Sequence, residues 1–140
     1  MKVLVAIDGS PSSLRAIKYV TKHADVFGAK PNITLIAVHL PVPSQRAKAL
    51  IGREIVDQYY SDESDAMLAS ALAHLKKAGQ TAQVLKSVGD PGEEIAKAAK
   101  KGFQMIVMGT HGRTALGNLV MGSVAMRTLA ESMGPVVLVK

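Results

Sequence analysis

The hydrophobic positions of this chain fall into two alternating patterns, short unbroken apolar runs and longer segments with helical spacing. Lys2 to Asp8 carries the first run, Val3-Leu4-Val5-Ala6-Ile7, which reads as a strand buried on both faces. Gly9-Ser10-Pro11-Ser12-Ser13 is a turn that supplies capping residues and a proline suited to a first helical turn. Leu14, Ile17, Tyr19, Val20 and Ala24 then recur at helical spacing, with an end expected near Gly28. Ile33 to Leu40, bounded by Pro31 and Pro41, is too short for a typical helix and reads as a second strand. After a loop from Pro41 to Lys48, Ala49 to Ala78 reads as helix, with Leu68, Ala71, Leu72 and Leu75 as its stripe and Gly79 as its stop. A cap at Ser61-Asp62 would divide that stretch into two helices.

Thr81 to Val88 forms a third strand, more polar than the others and so expected nearer a sheet edge. Asp90-Pro91-Gly92-Glu93-Glu94 opens a third helix that closes at Lys101-Gly102. Phe103 to Met108 is a fourth strand, Gly122 or Ser123 opens a fourth helix, and Pro135 to Val139 is a fifth strand. This alternation, with strands hydrophobic throughout, predicts an α/β fold: one domain over residues 1–140, built on an open five-stranded parallel sheet with helices on both faces. With strands one and four as central neighbours, the strand order is 3-2-1-4-5.

Composition narrows the class. Apolar residues at 48% and charged residues at 20% describe an ordinary globular chain, and with no cysteine there is no disulfide framework or cysteine metal site. The first apolar run is too short for a signal-peptide core or a membrane span, so a cytoplasmic protein is expected. The net charge of +6 is scattered, and its densest groups, Lys76-Lys77 and Lys97-Lys100-Lys101, sit late in predicted helices, where cations complement the dipole. The few aromatics are not interleaved with basic residues, so neither a nucleic acid nor a membrane is an expected partner.

The candidate chemistry lies where the fourth strand ends. Val107-Met108-Gly109-Thr110-His111-Gly112-Arg113 runs into a glycine-punctuated loop, and Gly122-Ser123-Val124 opens the next helix. Glycines permit close backbone approach, and the unpaired N–H groups of a helix start favour an anion, usually phosphate. In a parallel sheet, ligands bind beyond the carboxyl ends of strands where the strand order reverses, so Asp8 and Gly109 are expected to face one crevice. Asp8 could accept from ribose hydroxyls or act through a phosphate-bound metal, or it could simply cap the turn before the first helix. There is no G-x-x-x-x-G-K-[ST] stretch and no G-x-G-x-x-G after the first strand, which argues against a P-loop NTPase and a dinucleotide fold.

The spacing Gly109-x-x-Gly112, nine residues, Gly122-Ser123 resembles the signature of universal stress proteins of the ATP-binding subclass. The likeness covers essentially the whole chain: Val3 to Ser10 is similar to the family's first strand and turn, Ile36-Ala37-Val38-His39 to its second strand, and Pro135 to Val139 to its last. Gln104 stands where relatives often carry Asp, and Gly134 where they tend to carry a small residue or cysteine. The resemblance implies that Val38 meets adenine through its backbone, that Ala6 and Asp8 border the adenosine, and that Met108 and Gly109 lie beneath the nucleotide. It further implies that Gly112 and Arg113 wrap the phosphates while Gly122, Ser123 and Val124 offer helix-start N–H groups and the Ser123 hydroxyl. ATP with Mg²⁺ on its phosphates is the implied ligand, and a homodimer through Pro135–Val139 the implied assembly. That last strand would otherwise be an unprotected edge.

The remaining polar residues assemble no reaction chemistry. His111 reads as a solvated loop histidine, Arg113 as either a phosphate partner or an exposed cation, and His23 and His74 as solvated or capping residues on helices. His39 lacks a partner at metal-site spacing. Met105, Met108, Met121, Met126 and Met133 read as core filler, with Met121 at a pliable contact surface. The expected function is therefore an ATP-binding regulatory protein of the stress response that acts through conformation and an unknown protein partner. A slow ATPase or adenylate-handling enzyme, and a dimeric module binding AMP or a cyclic nucleotide, are the alternatives.

Overall fold

A computed structural model of the chain describes residues 1–42, 45–112 and 121–140. Five strands, β1 (Lys2–Ala6), β2 (Asn32–His39), β3 (Ala82–Val88), β4 (Met105–Gly109) and β5 (Val136–Val139), form one parallel sheet in the order β3-β2-β1-β4-β5. The helices are α1 (Pro11–Lys22), α2 (Gln45–Ile51), α3 (Arg53–Lys77), α4 (Pro91–Ala99) and α5 (Ser123–Glu131). Alternate strand residues explain the unbroken apolar runs. Val3, Val5, Leu35 and Val107 pack toward α1 and α3, while Leu4, Ala6, Ile36, Val38 and Met108 pack toward α4 and α5. Each such side chain removed from water contributes about 1.5–3 kcal/mol, so both faces of the central strands hold the sheet between its helix layers.

Local chemistry places most boundaries. The Ser10 hydroxyl accepts from Ser13 N–H at 3.1 Å with Pro11 in the first turn, and Asp90 Oδ1 accepts from Glu93 N–H at 3.0 Å with Pro91 beside it. Helix α1 ends earlier than its spacing implies, at Lys22, because the peptide groups from His23 to Gly28 close successive three-residue turns. His23 Nδ1 lies 3.0 Å from the Tyr19 carbonyl at this end, and His74 Nε2 lies 2.8 Å from Thr21 Oγ1, tying α3 to α1.

The long helical stretch divides at Gly52, whose φ of 90° breaks the helix, and not at Ser61-Asp62, which lie inside α3. Helix α2 starts at Gln45, inside the stretch expected to be loop. β3 takes an edge and β5 the other. Two methionines differ from expectation: Met126, on the outer face of α5, is 55% exposed, and Met133, in the turn between α5 and β5, is 88% exposed. Met121 is half-buried against the cluster beneath α5.

Candidate functional site

Chain order reverses direction across the sheet between β1 and β4, since β1 leads to β2 on one side and neighbours β4 on the other. Beyond the carboxyl ends of these strands lies a cavity of about 570 Å³. Ala6, Asp8, Val38, Met108, Gly109, Gly112, Gly122, Ser123 and Val124 all line it, so the structure brings together every expected site residue that it describes. Arg113 lies outside the described residues. A cavity of about 250 Å³ at the opposite end of β4 has no comparable convergence of polar groups.

One end of the crevice is apolar. Ala6 pairs in register with Ile36, and these residues, with Val38, Met108 and Ile95 of α4, make walls suited to a flat ring. The polar atoms are gathered at the other end. Asp8 caps the turn before α1 and also lines the cavity. Its Oδ1 accepts from Ser10 N–H at 2.9 Å and its N–H donates to Ser13 Oγ at 3.3 Å, which fixes the turn. Its Oδ2 faces Gly112, 3.4 Å from where a Cβ on that residue would stand.

The three glycines serve different purposes. A Cβ on Gly109 would stand 2.7 Å from the carbonyl carbon and oxygen of Ser12, so this glycine admits the start of α1 against β4. Gly112 opens the space before the Asp8 carboxylate. Gly122 packs the loop on itself, since a Cβ there would lie 3.4 Å from the Thr110 carbonyl and 3.5 Å from Gly112 N. Its N–H donates to that carbonyl at 2.6 Å, so the Gly122 amide is spent within the loop, contrary to its expected role as a phosphate donor. The first hydrogen bond of α5 runs from Met126 N–H to the Gly122 carbonyl, leaving the N–H groups of Ser123, Val124 and Ala125 ahead of it as helix-start donors.

The loop is anchored on both sides. Thr110 N–H donates to the Val139 carbonyl of β5 at 3.2 Å, and His111 N–H donates to Ser12 Oγ at 3.3 Å. His111 is half-buried, with Nδ1 2.8 Å from the Thr110 hydroxyl, and it lines the cavity; it is not the solvated residue its loop position implied. His39 also lines the cavity, held against Tyr59 and Tyr60 with Nε2 3.8 Å from Glu63 Oε2. Ile36 could have been found from the sequence, two residues before Val38 on the same strand face; Ile95 and Met67 could not, because helix docking brings them in.

Asp8 is the one carboxylate among the described lining residues, and no lysine or arginine stands among them. Among the described residues no group of three or more histidines and carboxylates could hold a metal by itself. Magnesium commonly binds through one or two carboxylates plus phosphates, and a crevice with one carboxylate fits that mode only with a phosphate ligand present. Behind the site, Arg127 of α5 ties α4 in place through Glu93 and Asp90, with Glu131 one turn on at 3.0 Å. The hydrogen bond and charge of Glu93, then Glu131 and Asp90, raise the Arg127 pKa above its ordinary value. A raised basic group contributes its stability below that range, so the clamp's cation is unchanged at neutral pH.

The model of the universal stress protein family matches residues 1–140. A universal stress protein of Thermus aquaticus is 31% identical over 141 residues, covering 99% of this chain and 97% of that protein. Among solved structures, protein MJ0577 of Methanocaldococcus jannaschii is similar with a TM-score of 0.79 and 27% identity, over 99% of this chain and 94% of that one. A universal stress protein in complex with cAMP is similar with a TM-score of 0.65 and 27% identity, over 100% of this chain and 97% of that one. Among the described residues, no helix is long and apolar enough to cross a membrane.

Proposed function

We propose that this chain, which belongs to the universal stress protein family, holds ATP in the crevice and acts as a nucleotide-dependent regulatory protein of the cytoplasm. The observation that carries this reading is the convergence of nine expected residues on one cavity of about 570 Å³. The base would lie between Ala6, Ile36 and Met108, with the Val38 backbone at its edge. Asp8 Oδ2 would accept from the ribose hydroxyls while Oδ1 stays on Ser10. The amides of Ser123 and Val124 and the Ser123 hydroxyl would donate to phosphate oxygens, and Gly112 would let them approach. Mg²⁺ would neutralise charge on those oxygens, which the described lining lacks lysine or arginine to do.

In this reading binding is the function, and hydrolysis is at most a slow leak. The lack of a lysine or arginine among the described lining residues, together with the relative solved with cAMP, also supports a second reading in which the ligand is AMP or a cyclic nucleotide. Calorimetric titration with ATP, ADP, AMP and cyclic AMP, with and without Mg²⁺, separates the two. Binding of ATP tighter than the others, strengthened by Mg²⁺, is expected; binding of AMP or cyclic AMP alone would favour the second reading.

Residues 1–140 would act as one unit and pair with a second copy through β5. Pro135 and Val139 turn their carbonyls to β4, so the period of two directs the peptide groups of Val136 and Leu138 outward at the sheet edge. Such an edge is a template for pairing, and the exposed Met126, Leu129 and Met133 lie on the adjoining helix and the turn into β5.

A further inference from the structure

We propose that Ser12 is a positioning residue for the phosphate end of the crevice, acting on the loop after β4 without touching the ligand. The assignment rests on the nucleotide-binding reading above. Ser12 is 4% exposed and does not line the cavity, yet it is polar and lies between the two walls of the site. Its neighbours in the first turn of α1 hold the β1 wall: Ser10 N–H donates to Asp8 Oδ1, and Ser13 Oγ accepts from Asp8 N–H. Ser12 holds the β4 wall. Its hydroxyl oxygen accepts from His111 N–H at 3.3 Å, and its backbone fills the space that Gly109 leaves open.

Three consecutive contacts therefore fix the distance between Asp8 and the loop. His111 stands between Thr110, to which its ring is tied, and Gly112, opposite Asp8 Oδ2. Without the Ser12 acceptor, the half-buried His111 amide loses this hydrogen bond to α1, and the loop's hold on α1 at that point weakens. The phosphate donors of α5 stay in place, but the wall facing them loses its fixed position. Ser12 thus sets how well the crevice fits phosphate while leaving the apolar base end unchanged. A residue that served only the stability of α1 would affect both ends alike.

The test compares the wild type with Ser12→Ala and with Ile17→Val, a second variant in α1 that loses buried volume away from the loop. Amide hydrogen exchange is followed by NMR in the ligand-free protein, and adenosine and Mg²⁺-ATP are titrated by calorimetry. Ser12→Ala is expected to speed exchange at His111 while Val5 and Val107 keep their protection. It is also expected to weaken ATP roughly fivefold, the factor carried by one neutral hydrogen bond, with adenosine unchanged. Ile17→Val should alter neither. Unchanged exchange at His111, or an equal loss for adenosine and ATP, overturns the assignment. A wild type that binds neither ligand refutes the nucleotide reading separately, and the exchange result then decides Ser12's hold on the loop alone.

Discussion

Gly109, the last residue of β4, and Gly112, in the loop that follows, lie three residues apart, and alanine at each should have opposite consequences. At Gly109 the added methyl would stand 2.7 Å from Ser12 C and O, where carbon contacts need about 3.5–4.0 Å. The Ser12 hydroxyl stands closer still with the Ser12 backbone beside it, and β4 is hydrogen-bonded to β1 and β5, with Gly109 in register with Val139. Neither side can move without breaking a strand pair or lifting α1, so the cost should be that of overpacking, about 1–3 kcal/mol. At roughly 3–4 °C per kcal/mol for a chain of this size, Gly109→Ala should melt about 3–12 °C below the wild type. Among the described residues Gly112→Ala meets only Asp8 Oδ2, at an ordinary 3.4 Å, so its stability should lie within about 0.5 kcal/mol of wild type. Its methyl would occupy the crevice, and nucleotide affinity should fall at least about tenfold, or ~1.4 kcal/mol. Scanning calorimetry and titration of both variants provide the assay. A Gly109→Ala protein that melts with the wild type, or a Gly112→Ala protein that binds nucleotide undiminished, would refute the division of roles.

Asp8→Asn keeps an oxygen to accept from Ser10 N–H, so the fold should persist while affinity for the nucleoside falls roughly tenfold; a loss of melting temperature without a loss of affinity would leave Asp8 as a turn residue only. Gly92→Ala sets a methyl 2.5 Å from Arg127 Cβ and 2.6 Å from its Cγ, so α4 and α5 must separate at a cost of about 1–3 kcal/mol in denaturant unfolding. An unchanged unfolding midpoint would contradict that close approach. Sedimentation at micromolar concentration should show a dimer, and a monomer alone would contradict pairing through β5.

The strands and their order were legible because burial on both faces leaves unbroken apolar runs such as Val3 to Ile7, and such strands fit few topologies. Polar β3 was legible as an edge for the same reason. The break in the long helical stretch was misplaced because Ser61 and Asp62 are good caps in principle, whereas Gly52 breaks the helix through its positive φ. Met126 and Met133 misled because residue type reports hydrophobicity and says nothing of which helix face meets the sheet or that Met133 falls in the turn after α5.

At the site, the motif identified which residues meet but not what each does. That Gly109 serves Ser12, that the Gly122 amide is spent on Thr110, and that His111 is anchored follow from the packing of α1 against β4. These contacts join residues roughly a hundred positions apart or depend on the loop's own turn, and no local spacing encodes them.

Titration of the wild-type protein with Mg²⁺-ATP, followed by calorimetry, tests the central claim most directly. One site per chain saturating well below millimolar ATP is the expected result. No heat of binding at millimolar ATP, with the protein folded, would contradict it.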